Sequence, residues 1–365
     1  MTFFDVLKSI SVLAILIFVH EMGHFIAARS QGIYANRFSL GFGPTLLKYQ
    51  GPETEYAIRA FPLGGFVGFP DDDPDSDIPP NDPNLLRNRP VLDRAIVISA
   101  GVIANLLFAY LVLAIQFGIV GIPTGFNYQP GVLVQPTNKD SIAYQAGVRE
   151  GDIVVGVNGK DVPANAESII LLQKEIQSHP NQQIELKVER AKSTLSIPVT
   201  PKLDNGKGKI DIQLVSPNGT PIFRRPGNLV EVLSIAADRF QQIFIGTLLG
   251  FWKLVTNFQS TVSQVAGPVK IVAEGAKLAG SNATNLLFFT AIISINLAVI
   301  NILPLPALDG GQLAFLLIEA LRGKPLPTRL QDGVMQTGLM LLLGLGIFLI
   351  IRDTTQLEWV QRLFQ

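Results

Sequence analysis

The sequence predicts a polytopic α-helical membrane protein with four transmembrane helices and an inserted α+β domain. The 365 residues are 48% hydrophobic and only 16% charged, whereas soluble domains carry about 25% charged residues. Four apolar stretches approach or exceed the roughly 20 residues that a helix needs to cross the hydrocarbon of a bilayer. Between the second and third of these stretches, residues 129–203 change to short strands and turns.

Composition also excludes some functions. The formal net charge is zero, so no excess of basic residues is available to bind phosphates, and nucleic acid is not an expected partner. The chain contains no cysteine, which removes disulfides and thiolate-bound zinc.

The first span, at about residues 4–28, contains His20, Glu21 and His24. Positions four apart lie on one face of a helix, so His20 and His24 can bind one metal ion. From the next position, the Glu21 carboxylate can reach a water molecule held at that ion, as in H-E-x-x-H zinc peptidases. The alternative is an inert, hydrogen-bonded histidine pair. Ionisable side chains are costly inside a membrane-length apolar helix, which favours the metal site.

The first loop, residues 30–91, is polar and rich in turn residues. Alternation over residues 56–61, followed by Gly64, Gly65 and Phe66, predicts a β-hairpin or small sheet with bare backbone. Gly64, Gly65 and Phe66 are candidate substrate-binding residues, because an extended peptide could pair with this segment. The alternative is that the glycines only form a tight turn.

A second span follows at about residues 95–120, and it includes Asn105 as well as small residues that permit close helix packing. Basic residues are concentrated in the loop before it. By the positive-inside rule this loop is cytoplasmic, which places the amino terminus and residues 129–203 outside.

Residues 129–203 are predicted to be a small α+β module. Asn158 and Gly159 form a strong hairpin-turn signal, and residues 167–178 have helical spacing. Residues 204–280 are predicted to be a linker with interfacial amphipathic helices, because Arg239 and Lys253 interrupt the apolar segment 229–262.

The third span, at about residues 282–303, ends near Asn301, and the fourth lies at about residues 333–351. Prolines end the third helix, so Asp309 reaches membrane depth on irregular backbone. A catalytic zinc needs three protein ligands and one open position, which His20, His24 and Asp309 supply for one Zn²⁺. The predicted domains are residues 1–128 and 281–365, the two membrane halves, with 129–203 and 204–280 between them.

With these motifs, the chain resembles the site-2 protease family of intramembrane zinc metalloproteases, in particular its RseP-type members. The motifs that carry the resemblance span nearly the whole chain, at residues 20–24, 38–44, 62–67, 267–269 and 296–311. The resemblance implies a zinc site near the cytoplasmic side and a PDZ-like domain outside. It also implies Glu21 as the base and Asn301 as a substrate-positioning or transition-state residue. Departures from the family pattern are the single PDZ-like module, Val102 and Gln312.

The predicted function is zinc-dependent hydrolysis of a peptide bond within the transmembrane segment of a single-span protein. This is regulated intramembrane proteolysis, with an anti-sigma factor or a remnant signal peptide as the expected kind of substrate. Lipid is the other expected partner, and the PDZ-like domain is expected to contact substrate or a regulatory protein. The expected location is a bacterial inner membrane or a thylakoid or plastid-type membrane.

Two rival functions remain. A transporter or ion pathway could use the intramembrane His and Asp residues, and internal repeats would favour it. An inactive anchor for the PDZ-like module is the other, and the intact Glu21 argues against it.

Overall fold

The computed structural model describes residues 2–73, 76–137, 139–191, 193–204, 206–257, 265–281 and 283–355. The helices in these ranges are α1 (Phe3–Ser30), α2 (Val91–Val120), α3 (Ile142–Ala146), α4 (Ser168–Gln177), α5 (Leu229–Thr256), α6 (Pro268–Ser281), α7 (Ala283–Ile302), α8 (Asp309–Arg322) and α9 (Thr328–Thr355). The strands are β1 (Arg37–Gln50), β2 (Glu55–Gly68), β3 (Ile122–Pro136), β4 (Asp152–Val157), β5 (Lys160–Asp161), β6 (Ile184–Arg190), β7 (Ser193–Val199), β8 (Lys202–Asp204), β9 (Lys207–Lys209) and β10 (Ile212–Arg224).

The chain forms two compact units. The inserted unit is Gly121–Arg225, and the membrane unit is the chain on either side of it. In the membrane unit, the described residues include four helices that are long and apolar enough to cross a membrane, namely α1, α2, most of α7, and α9. The predicted four-span architecture is confirmed in that sense.

Small residues let the first two spans approach each other closely. A side chain at Gly23 of α1 would meet Cβ of Ala104 and the carbonyl carbon of Ala100 on α2, both at 2.8 Å. At the other end of α1, the side chains of Thr2 and Asp5 form a reciprocal capping box, which pairs backbone N–H groups that the first turn leaves free. Gly23 is therefore needed for the close approach of α1 and α2.

Helix α5 packs against α2 and α7. Val232 and Ala236 of α5 are buried with Leu113 of α2 and Ile295 of α7 in one apolar cluster. Asn228 caps the start of the helix, and its side chain accepts a hydrogen bond from the N–H of Glu231. The helix is continuous over 28 residues, and its position relative to the bilayer stays a prediction.

The first loop folds into a separate small sheet made by β1 and β2. Residues 37–40 of β1 lie between two parts of β2, parallel to residues 55–58 and antiparallel to residues 65–68. Residues 45–50 return along residues 55–59. Gly64, Gly65 and Phe66 lie inside strand β2, so the tight-turn alternative is wrong.

The inserted unit is a six-stranded sheet with the order β10-β3-β4-β6-β7, and β5 pairs with β4. The predicted hairpin turn is confirmed, because Asn158 and Gly159 both have positive φ and join β4 to β5. The predicted helix is also present as α4. Buried aliphatic residues from strands and helices form one core, including Val134, Leu172 and Leu186.

The inserted unit extends beyond the predicted module 129–203 at both ends. Strand β3 begins at Ile122, and its first half pairs with residues 219–224 of β10. This pairing joins segments almost a hundred residues apart, so neither half carries a local signal of its partner. The PDZ-like assignment stays a prediction.

Candidate metal centre

Three predicted ligand residues meet in the membrane unit. His20 and His24 lie one turn apart on α1, and Asp309 is the first residue of α8. The two Nε2 atoms are 3.2 Å apart, and Asp309 Oδ2 lies 3.2 Å from His20 Nε2 and 3.4 Å from His24 Nε2. Asp309, almost 290 positions after His20 in the sequence, therefore completes the ligand cluster that the H-E-x-x-H motif begins.

The spacing of these atoms fits a tetrahedral metal ion. Ligands at about 2.0–2.1 Å from zinc are about 3.3 Å from one another in tetrahedral geometry. Among the described residues, the buried Asp309 Oδ2 has no hydrogen-bond donor. His24 Nδ1 lies 2.8 Å from the carbonyl oxygen of Val97, which only accepts, so a neutral His24 ring carries its proton on Nδ1 and directs the Nε2 lone pair toward Asp309. The lone pairs of His24 Nε2 and Asp309 Oδ2 therefore face each other, an arrangement that is favourable only with a cation between them.

Irregular backbone and two glycines bring Asp309 to the histidines. Helix α7 ends at Ile302, and α8 begins only seven positions later. Any side chain at Gly310 would collide with the carbonyl groups of Ile302 and Leu303, and one at Gly311 would collide with Leu305. The paired glycines are therefore needed for α8 to start against the end of α7. The predicted irregular backbone between the third span and Asp309 is present.

Two asparagines contact His20. Asn301 Nδ2, on α7, lies 3.4 Å from His20 Nε2, so the predicted positioning residue is beside the ligand atoms. Asn105 Nδ2, on α2, lies 3.2 Å from the other ring nitrogen, Nδ1. The sequence predicted neither this contact nor the one with the Val97 carbonyl, which has no side-chain signature.

Glu21 lies between the metal site and the β1–β2 sheet. It is 92% buried, and the backbone N–H of Val67 is within hydrogen-bonding reach of its carboxylate. A side chain at Gly65 would lie 2.8 Å from Glu21 Cγ. Gly65 therefore permits β2 to pass directly beside the predicted base, a role that the sequence did not reveal.

The other two candidate substrate-binding residues lie along the same strand. A side chain at Gly64 would lie only 2.5 Å from the ring of Phe42. The Phe66 ring stacks on that of Phe42 with centroids 6.3 Å apart, and the Arg59 guanidinium lies over it at 5.3 Å. Among the described residues, no strand pairs with the outer edge of residues 65–68.

A buried ion pair connects α2 to α8, the helix that begins with Asp309. Arg94 of α2 donates two hydrogen bonds to the carboxylate of Glu319 on α8, one of them 3.1 Å long. Both side chains are more than four-fifths buried. Since α2 contacts both histidines and α8 begins with Asp309, this pair holds the third ligand in register with the first two.

Four membrane-length helices, a buried His-His-Asp cluster and an adjacent glutamate define a membrane metalloprotease with a zinc cofactor. The chain belongs to Peptidase family M50, whose model matches residues 8–345.

Relatives agree with this assignment. A protein of Nostoc sp., provisionally named a zinc metalloprotease, is 62% identical over 99% of this chain and 100% of its own length. The membrane metalloprotease ARASP, a chloroplastic protein of Arabidopsis thaliana, is 45% identical over 99% of this chain and 81% of its own length. A protein of Agrobacterium fabrum, also provisionally named a zinc metalloprotease, is 30% identical over 95% of each chain.

Proposed function

We propose that this metalloprotease hydrolyses a peptide bond within the transmembrane segment of a single-span substrate. The observation that carries the proposal is the depth of the cluster along α1. About 15 Å of helix separates His20 from the end of α1 at Ser30, at 1.5 Å per residue. This position along the helix supports cleavage of a peptide bond within the bilayer, where His20, Glu21 and Asp309 can reach it.

His20, His24 and Asp309 would hold the zinc, which supplies a Lewis acid for the scissile carbonyl and lowers the pKa of a bound water toward about 7. Glu21 accepts the proton from the attacking water and then delivers it to the leaving nitrogen. The Asn301 amide, beside the ligand atoms, donates a hydrogen bond to the oxygen on which negative charge develops. Burial of Glu21 excludes competing water. The low dielectric of the buried site also strengthens the interaction of Glu21 with the attacking water and the hydrogen bond donated by Asn301.

The edge of β2 is the proposed substrate platform. A peptide drawn out of its helix exposes N–H and C=O groups that each cost several kcal/mol in hydrocarbon. An extended segment that pairs with residues 65–68 satisfies these groups by strand addition. Because Gly65 and Val67 contact Glu21, this edge also places the substrate backbone beside the base.

Sidedness follows from the arginine-rich first loop. We place the β1–β2 sheet and the metal site toward the cytoplasmic side, and the inserted PDZ-like unit on the outer side. The inserted unit then contacts the outer part of a substrate or a regulatory protein, and lipid surrounds the spans. A bacterial inner membrane or a plastid-type membrane is the proposed location, with an anti-sigma factor or remnant signal peptide as substrate.

The test is zinc content measured together with cleavage in proteoliposomes that contain one single-span substrate. We expect one zinc per chain and cleavage inside the transmembrane segment, located by mass spectrometry. A chelator should abolish cleavage, and added zinc should restore it. A zinc-loaded protein that leaves the single-span substrate intact but carries ions across the bilayer would support a transporter instead.

A further inference from the structure

We propose that Asn105 is a positioning residue that determines which nitrogen of His20 faces the metal. The inference rests on the proposed zinc function. It concerns the contact between α2 and the ring nitrogen of His20 that lies away from Asp309.

The geometry of His20 requires a hydrogen-bond acceptor at this position. His20 Nε2 is the atom that lies 3.2 Å from both His24 Nε2 and Asp309 Oδ2. To bind a metal, this nitrogen must be unprotonated, so the neutral ring carries its proton on Nδ1. That proton points at the terminal amide of Asn105, 3.2 Å away. Only the oxygen of an amide accepts a hydrogen bond.

In the structure, the amide nitrogen of Asn105 faces His20. Its oxygen is buried and has no donor among the described residues. A half-turn of the terminal amide exchanges the two groups, which have nearly the same size, and moves no other atom. Oδ1 then accepts from His20 Nδ1–H, and Nε2 presents its lone pair to the metal. Without metal, the unrotated amide donates Nδ2–H to His20 Nδ1, which suits the other tautomer of the neutral ring.

The two histidines are therefore held by different kinds of group. Val97 offers His24 a carbonyl, which fixes one tautomer permanently. Asn105 offers His20 an amide that serves either tautomer, so its orientation is coupled to metal binding. The backbone of Asn105 is itself held, because Ser294 of α7 donates a 2.7 Å hydrogen bond to its carbonyl oxygen. Asn105 is fully buried, so water has little access to replace its side chain.

Zinc and cobalt affinity of the purified, full-length protein tests the proposal. Asn105→Leu keeps similar bulk but removes the acceptor, and we expect the dissociation constants for Zn²⁺ and Co²⁺ to rise about 10- to 100-fold. Asn105→Asp keeps the acceptor and should stay within about threefold of wild type, by the same reasoning. Asn296→Ala is the matched control. It removes an amide on α7 that contacts Thr247 rather than a metal ligand, and should leave both constants unchanged.

A direct measurement does not depend on any variant. The chain has only three histidines, so ¹⁵N labelling of histidine resolves each ring. In the zinc-loaded protein, His20 should show a protonated Nδ1 and an unprotonated Nε2. An unprotonated His20 Nδ1 in that state, or Asn105→Asp binding as weakly as Asn105→Leu, would overturn the proposal. Wild-type protein that binds zinc but cuts nothing would instead contradict the proposed function, and the metal dissociation constants of the two Asn105 variants would still decide the role of Asn105.

Discussion

Replacing Gly101 with alanine tests the geometry of the metal centre, because this residue of α2 lies against both imidazole rings. A methyl group there would lie 2.7 Å from Cε1 of His24 and 2.8 Å from Cε1 of His20, with His24 Nε2 closer still. Carbon atoms in contact are ordinarily about 3.5 Å apart or more. The rings would have to retreat by about 0.7 Å, whereas zinc–ligand distances tolerate about 0.2 Å.

The expected magnitude follows from the cost of one extra methyl group in a packed site. Such overpacking costs about 1–3 kcal/mol, which corresponds to a roughly 5- to 150-fold rise in the zinc dissociation constant. Retreat of the rings is opposed by the Val97 carbonyl at His24 and by Asn105 at His20. We therefore expect Gly101→Ala to remain folded but to lose most of its zinc at micromolar chelator.

The assay is chelator competition on purified protein, with thermal unfolding recorded in parallel. Gly118→Ala is the matched control on the same helix, because a methyl group at Gly118 meets no described heavy atom within 4 Å. Zinc affinity of Gly101→Ala within twofold of wild type would refute the packing argument. An equal loss in Gly118→Ala would attribute the effect to the helix rather than to the site.

Three further predictions concern the surroundings of the site. Glu319→Gln leaves Arg94 buried without its charge partner, so it should lower the free energy of unfolding by about 3 kcal/mol and weaken zinc binding. Unchanged stability would show that the pair contributes nothing. Gly65→Ala should lower kcat at least tenfold while zinc stays bound, because the new methyl group displaces Glu21; loss of zinc would contradict this. A cysteine at Asp77 should resist an impermeant thiol reagent added outside intact cells, and one at Asn158 should react, whereas the reverse pattern would invert the topology.

Local sequence patterns predicted a large part of the fold. Hydropathy located all four spans because a membrane helix must satisfy its backbone hydrogen bonds internally. Asn158 and Gly159 predicted their turn because few residues adopt positive φ twice in succession. By contrast, prolines and glycines in β3 and β10 weaken the strand pattern, for example Pro123, Gly125 and Pro221. The extent of the inserted unit depends on their long-range pairing, which no local pattern contains.

The site was predictable where chemistry requires a particular side chain. His20, His24 and Asp309 could be proposed together because a catalytic zinc needs three ligands, and the structure brings them within 3.4 Å of one another. The supporting contacts were not predictable. Val97 acts through its backbone carbonyl, so its side chain gives no signal. Asn105 is an amide in an apolar helix, and only the packing of α1 on α2 shows that it contacts His20. Gly101 and Gly65 matter because a side chain at either position would collide with His20 and His24 or with Glu21, and these neighbours are known only from the fold.

In the proposed mechanism, a bound zinc and the Glu21 carboxylate together cut peptides within the membrane. The most direct measurement compares Glu21→Gln with His24→Ala in proteoliposomes, recording zinc content and cleavage of one single-span substrate. The isosteric Glu21→Gln should keep about one zinc per chain and lose cleavage, because an amide cannot accept the proton. His24→Ala should lose both. Continued turnover by pure Glu21→Gln protein would contradict the role of Glu21, and full zinc content in His24→Ala would contradict the ligand set.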